Sequence, residues 1–305
     1  MALKDLFDLN KSKQSIVLNK LDTYLLSLNN EDNDRAVNVN SPSQIFKCKR
    51  SNYYTRKKEK KDTINVNART RRIFDNGHSV HNRLQKYLKN AGILLLDEVP
   101  VVNEEYNVQG HTDGVLLIDD KSRELGILEI KSCNSGTFKE LIKPIEEHEL
   151  QALLYMYCLE QRRVFLRKSH KNKLQFIAKR KEREIEIKKR YTHLQSGDRF
   201  TDDEKIKYQC ELYHKMDNIL FETSLPITKL VVLYENKDTQ EIKEFLIDTL
   251  DIKKKEQYLK EKEDILNYCR EMNYFVDNNI IPEREGDSKS CSFCRYCSYK
   301  TICWK

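Results

Sequence analysis

The sequence predicts an α/β fold, a mixed and twisted central sheet flanked by helices. Three observations carry this. Residues 98–132 alternate or run apolar, and the turn-rich stretch Asp119-Asp120-Lys121-Ser122-Arg123-Glu124 divides their second half. Apolar residues recur at helical spacing before this stretch (Val80, Leu84, Tyr87, Leu88) and in residues 148–159 after it. Two further apolar runs, 230–234 and 244–247, return as strands beyond a long basic segment.

At 305 residues the chain can bury one large core. With 8 Gly, 5 Pro and 34% charged residues it reads as helix-rich with few tight turns. No run approaches the ~18 apolar residues of a membrane span, and Met1-Ala2-Leu3-Lys4-Asp5 opens no secretory segment, so a cytoplasmic location is expected. Nine cysteines in a reducing compartment point to buried thiols or a metal site rather than disulfides.

Residues 1–40 read as a helical lead-in, with Leu18, Leu21, Leu25 and Leu28 at helical spacing. Residues 41–305 form the main domain. Ser41-Pro42-Ser43 has the chemistry of a helix start, and that helix carries Ile45, Cys48 and Arg50 toward Tyr53 and Tyr54, which read as core aromatics. A helix over 75–90 places His81 beside its apolar stripe. Residues 160–225 are lysine-rich and weakly patterned, and read as a basic helical insertion projecting as an arm. A charged helix over 253–275 leads to a cysteine-rich segment, 286–305.

The net charge of +7 conceals an asymmetry. Residues 47–72 hold 11 Lys/Arg against Glu59 and Asp62, and residues 161–190 hold 13 against Glu182, Glu184 and Glu186. The rest of the chain is net acidic. Basic segments on an acidic body read as phosphate-binding surface, with nucleic acid as the expected partner and a solvated helix surface as the alternative.

The chemistry concentrates on one hairpin. A strand over 111–118 folding back on 125–131, with its turn near Lys121 and Ser122, sets Asp113 opposite Glu129. Lys131, two residues on, shares the face of Glu129. Hard oxygen donors beside an ammonium suit a divalent cation and activation of water against a phosphate. His81 would add a nitrogen donor, which favours Mn²⁺ over an all-oxygen Mg²⁺ site. Glu98 faces the same meander as a supporting residue. Gln151 and Tyr155, four apart on a helix, either line this site or pack a core. Near the end, Cys291-x-x-Cys294-x-x-Cys297-x5-Cys303 has the density of a metal or cluster site, with Cys48 the best remote fourth ligand. Cys133, Cys158, Cys210 and Cys269 read as inert, and the remaining histidines show no ligand spacing.

The order His81, Asp113, Glu129-x-Lys131, Gln151-x-x-x-Tyr155 resembles the RecB-like branch of the PD-(D/E)XK nucleases. A lone cysteine near the start and Cys294-x-x-Cys297-x5-Cys303 at the end resemble its iron–sulfur members. These include helicase–nucleases of recombination, CRISPR-associated adaptation nucleases and phage exonucleases. The similarity covers about 41–159 and 228–305. It implies a restriction-endonuclease-like sheet whose helical insertion is extra and whose cysteine cluster joins both chain ends. It implies a metal-dependent deoxyribonuclease, an exonuclease on single-stranded ends with 5′→3′ polarity, in the cytoplasm of a bacterial, archaeal or phage-infected cell. Helicase, recombination or CRISPR adaptation proteins are the implied partners.

Residue by residue, the resemblance implies that His81, Asp113, Glu129 and the Ile130 carbonyl hold Mg²⁺ or Mn²⁺. Lys131 would orient or polarise water, and Gln151 and Tyr155 would line the site. Cys48, Cys294, Cys297 and Cys303 would hold a [4Fe–4S] cluster. Cys291 departs from the pattern and competes for the place of Cys294 or Cys48. The competing reading is a non-catalytic nucleic-acid-binding protein whose cysteines hold a structural zinc.

Overall fold

Residues 94–133 form the meander that the alternation predicts. β1 (Leu94–Asn103), β2 (Val108–Asp119) and β3 (Glu124–Cys133) pair antiparallel in sequence order. β4 (Lys229–Asn236) adds parallel to β3 and β5 (Ile242–Asp248) adds antiparallel to β4, so the mixed sheet runs β1-β2-β3-β4-β5. This computed structural model describes residues 16–28, 38–62, 66–170, 182, 185, 202–295 and 297–305.

Burial explains the strand patterns. β3 and β4 are covered on both faces and read as continuous apolar runs, whereas edge strand β5 alternates. One face of the sheet carries Val115, Ile127, Leu230 and Val232, packed beneath Ala152, Leu153 and Leu159. These last three lie on α5 (Glu146–Ser169). The other face carries Leu116, Leu128, Ile130 and Val231 beneath Val80 and Leu84 of α3 (Ala68–Asn90). The paired register of β2 and β3 ends at Gly114 against Leu128, one step short of Asp113 and Glu129.

The helices depart from sequence expectation in four ways. Within the lead-in, the described helix is α1 (Ile16–Ser27), and Leu25 alone of its leucines is buried. Ser41 begins a single turn, its carbonyl accepting from Gln44 and Ile45, and the helix itself starts only after Cys48, as α2 (Lys49–Arg56). Tyr53 and Tyr54 are core residues, as expected. α3 is longer than 75–90, because Asn67 caps it by accepting the Thr70 N–H at 2.8 Å. Tyr87 on this helix faces solvent rather than the core.

The fourth departure concerns the insertion. α4 (Ser135–Glu140) leads into α5, which continues to Ser169, and α6 (Asp202–Glu222) packs back on it. Tyr213, Met216 and Leu220 of α6 belong to the main core. The guanidinium of Arg162 grips Asp217 through two bonds of 3.0 and 2.9 Å, with Asp217 wholly buried. Arg162 and the face of α6 that carries Tyr213, Met216, Asp217 and Leu220 are therefore packed into the domain body rather than held out as an arm. The most basic stretch between them lies outside the described residues, apart from Glu182 and Ile185.

α7 (Lys255–Asp277) brings Met272 and Val276 against Tyr53, Tyr54 and Tyr299, tying α2 to the C-terminal segment. That segment contains α8 (Ser292–Arg295) and α9 (Lys300–Cys303). No helix among the described residues is long and apolar enough to cross a membrane.

Candidate active site

β2 and β3 bring Asp113 near enough to Glu129 for its charge to act on that carboxyl, while the donor atoms of His81, Glu98 and Asp113 make a tight group that does not include Glu129. Asp113 follows Thr112 and precedes Gly114, where an added Cβ would meet Leu94 Cδ1 at 2.4 Å and the Leu96 carbonyl at 2.9 Å, so β1 packs tightly on β2 here. Asp113 Oδ2 accepts the Ile130 N–H at 2.5 Å, and Oδ1 lies 3.2 Å from His81 Nδ1. Glu129 and Lys131, two apart on β3, pair at 2.6 Å between Oε1 and Nζ. Lys131 Nζ also reaches Gln151 Oε1 at 3.4 Å, and the Gln151 amide donates to Tyr155 Oη at 3.5 Å. The residues singled out on the hairpin and its covering helices thus form two chains of contacts, His81–Asp113–Ile130 and Glu129–Lys131–Gln151–Tyr155, linked through the backbone of β3.

Two residues join the Asp113 set, one of them read from the sequence as a supporting residue and the other missed. Glu98 on β1 lies between the registered pairs Asp97–Gly114 and Val99–Thr112, across from Asp113. Its φ of 48° is left-handed, a conformation that costs a non-glycine residue roughly 1–3 kcal/mol and gathers at functional sites. This twist turns its carboxylate toward the site. Donor atoms of His81, Glu98 and Asp113 all lie within 4.8 Å of one another, the one such group of histidine, cysteine or acid side chains among the described residues. Gln85, buried one turn after His81, donates at 2.8 Å to Glu98 Oε1 and at 2.9 Å to the Asp113 carbonyl. The signal for Gln85 was its position, i+4 from His81 on the covering face of α3.

The electrostatics follow from burial. Glu129 is 2% exposed, and its Oε2 is buried without any hydrogen bond. Burial, and then the charge of Asp113, push its carboxyl up to about 7 against the pull of Lys131. Burial lowers the His81 imidazole, but the hydrogen bond and charge of Asp113 outweigh it and the net shift is upward. Burial drives Tyr155 far above the ordinary phenol range, so its hydroxyl stays protonated.

An orphaned, buried carboxylate oxygen beside a second carboxylate is a costly arrangement that a divalent cation would relieve. Imidazole nitrogen with carboxylate oxygens is a donor set that fits Mn²⁺ or Mg²⁺. The residues present therefore fit a divalent ion.

A second cluster stands at the joined chain ends. Cys48, which precedes the first turn of α2, lines one small pocket with Cys294, Cys297 and Cys303. The Arg284 guanidinium stacks 3.9 Å over Trp304 and donates to the Cys303 carbonyl at 2.8 Å. The Tyr299 N–H donates to Cys297 Sγ at 3.4 Å. Asp62 and Ser298 share a backbone bond of 2.6 Å, and the Thr301 N–H reaches Asp62 Oδ2 at 3.0 Å. Cys291 does not line this pocket. It lies against Gly286 together with Cys294, where a Cβ would come within 2.7 Å of both sulfurs. Cys158, Cys210 and Cys269 are buried apart from the pocket, and burial pushes Cys269 up to about 12.

No curated protein matches the chain. A solved structure described as "Crystal structure of SSO0001" is 15% identical, with a TM-score of 0.44 over 95% of this chain and 97% of that one, a likeness too small to argue from. The family model of the PD-(D/E)XK nuclease superfamily matches residues 93–304, which hold β1 to β5, the acidic pair, Lys131 and three of the four pocket cysteines. With its mixed sheet and flanking helices, the chain belongs to the PD-(D/E)XK nuclease superfamily.

Proposed function

We propose that this protein is a metal-dependent DNA nuclease of the RecB-like, iron–sulfur type, acting as an exonuclease on single-stranded ends with 5′→3′ polarity. The observation that carries the catalytic part is the unbonded, buried Oε2 of Glu129 between Asp113 and Lys131. His81, Asp113, Glu129 and the Ile130 carbonyl would hold the cation, and Glu98 joins that set. When bound, a divalent ion neutralises phosphate charge and supplies a nucleophilic water near neutral pH.

The chain's own residues then act as follows. Lys131, held between Glu129 and Gln151, presents its ammonium to the pentavalent phosphate's developing charge without reorganising. Gln85 fixes Glu98 and the backbone of Asp113. Gln151 and Tyr155 form the wall opposite the hairpin.

Four cysteines lining one pocket suit a four-sulfur [4Fe–4S] site, and a structural zinc is the alternative occupant of the same ligands. Either group would clip α2 to the last turn of the chain. The 5′→3′ polarity, the preference for ends and the cytoplasmic setting with helicase, recombination or CRISPR adaptation partners rest on the resemblance in the sequence.

The deciding experiment compares wild type with Glu129→Ala and Lys131→Ala on linear and circular, single- and double-stranded DNA in Mn²⁺ or Mg²⁺. Cleavage of linear single strands alone, lost in both variants, is the expected result. Undiminished cleavage by both variants would overturn the site, and equal cleavage of circles would overturn the exonuclease reading.

A further inference from the structure

Three residues before Gln151, on the same side of α5, His148 sets its ring against β4. Its Nδ1 lies 2.8 Å from Tyr234 Oη. Tyr234 is wholly buried and is the register partner of Lys131 across the parallel β3–β4 pair. Its hydroxyl already accepts the Ile145 N–H at 3.0 Å, and among the described residues His148 Nδ1 is the remaining partner for its proton. The phenol proton therefore goes to Nδ1, which places the ring hydrogen on Nε2. Nε2 has no hydrogen-bond partner among the described residues and is not sealed from solvent, because His148 is only half-buried.

The positions follow strand order. His81 and Asp113 stand at β2, Glu129 and Lys131 on β3, and Tyr234 with His148 at β4. Adjacent strands are about 4.8 Å apart, so moving from Lys131 to the Tyr234–His148 pair is a step comparable to one nucleotide of an extended strand. Burial and then the charge of Lys131 push the His148 imidazole down to about 4, so the ring is neutral near pH 7. A neutral donor can sit beside an ammonium without repulsion and still make a charge-assisted bond to an anionic oxygen.

We infer that His148 is a substrate-binding residue whose Nε2–H, oriented by Tyr234, donates to a non-bridging oxygen of the phosphate adjoining the cleaved one, on the β4 side of Lys131. This deepens the nuclease reading above and rests on it. Contact with a phosphate that does not react is made equally in the ground and transition states, so its loss raises KM more than it lowers kcat.

The test uses two variants of opposite geometry. Glutamine carries its amide nitrogen near the place of Nε2, whereas asparagine carries it near Nδ1. On a linear single-stranded oligonucleotide in Mn²⁺, His148→Asn should raise KM about 10- to 100-fold, the worth of one bond to a charged group. His148→Gln should stay within a few-fold of wild type, with both variants melting at the wild-type temperature. Equal losses in the two variants, or no loss in either while Glu129→Ala abolishes cleavage, would overturn the assignment. Undiminished cleavage by Glu129→Ala would instead overturn the nuclease reading and the inference with it.

Discussion

Asp113 ties two strands and a helix together, because Oδ2 accepts the Ile130 N–H at 2.5 Å while Oδ1 lies 3.2 Å from His81 Nδ1. The carboxylate is thus fixed before any cation arrives, with Glu98 and Glu129 on either side. Asp113→Asn keeps the shape but removes the charge. Mn²⁺ affinity, measured by calorimetry without DNA, should fall, and cleavage should drop to background.

Gln85 acts on the same site through hydrogen bonds to Glu98 and to the Asp113 backbone. Partners of this kind are worth about 10- to 100-fold in metal affinity. Gln85→Leu should weaken Mn²⁺ binding by that factor while circular dichroism stays native. An unchanged affinity would mean that Glu98 is not part of the metal site.

On the proposed nuclease reading, Lys131 places its charge where a phosphate oxygen becomes more negative during attack. Removing one preorganised donor of this kind costs about 10²–10³-fold in rate. Lys131→Ala should lose that much in kcat with its Mn²⁺ affinity retained, as measured by single-turnover cleavage.

Glu129 makes stability depend on pH. Its folded value near 7 exceeds the ordinary carboxylate value, so the protonated form is the one the fold favours. That contribution is complete below about pH 4.5 and disappears as pH rises through 7, amounting to at most about 3 kcal/mol. The metal-free protein should therefore lose melting temperature between pH 5 and 8, and Glu129→Gln should flatten this part of the profile. Mn²⁺, which needs the ionised carboxylate, should raise the melting temperature more at pH 8 than at pH 6.

The cysteine pocket distinguishes its neighbours. Cys303→Ser should lower bound iron, visible absorption and melting temperature together, whereas Cys291→Ser should leave all three near wild type. Iron content that falls equally in both variants would place Cys291 among the ligands.

Much of the site was legible in the one-dimensional pattern. Period-two alternation and a polar turn determine the register of β2 and β3, so Asp113, Glu129 and Lys131 could be assigned to one hairpin face from local rules. The spacings of Gln151 to Tyr155 and of the C-terminal cysteines are likewise local, since a helix or a tight turn brings such residues together without help from distant chain.

Other features depend on contacts between residues far apart in sequence, and only the tertiary structure decided them. Glu98 turns inward because a left-handed residue in β1 faces Asp113, a backbone choice that no propensity for glutamate signals. Gln85 and His148 acquire partners from β1, β2 and β4 once the helices dock. The ends of the basic segment become core because Arg162 finds Asp217 across two helices, while Gly286 leaves room for the sulfurs of both Cys291 and Cys294, of which Cys294 also lines the pocket. Local chemistry determined which groups were available to this protein. Packing determined which of them meet, because the free energy that selects one meeting over another is spread across the whole buried interior.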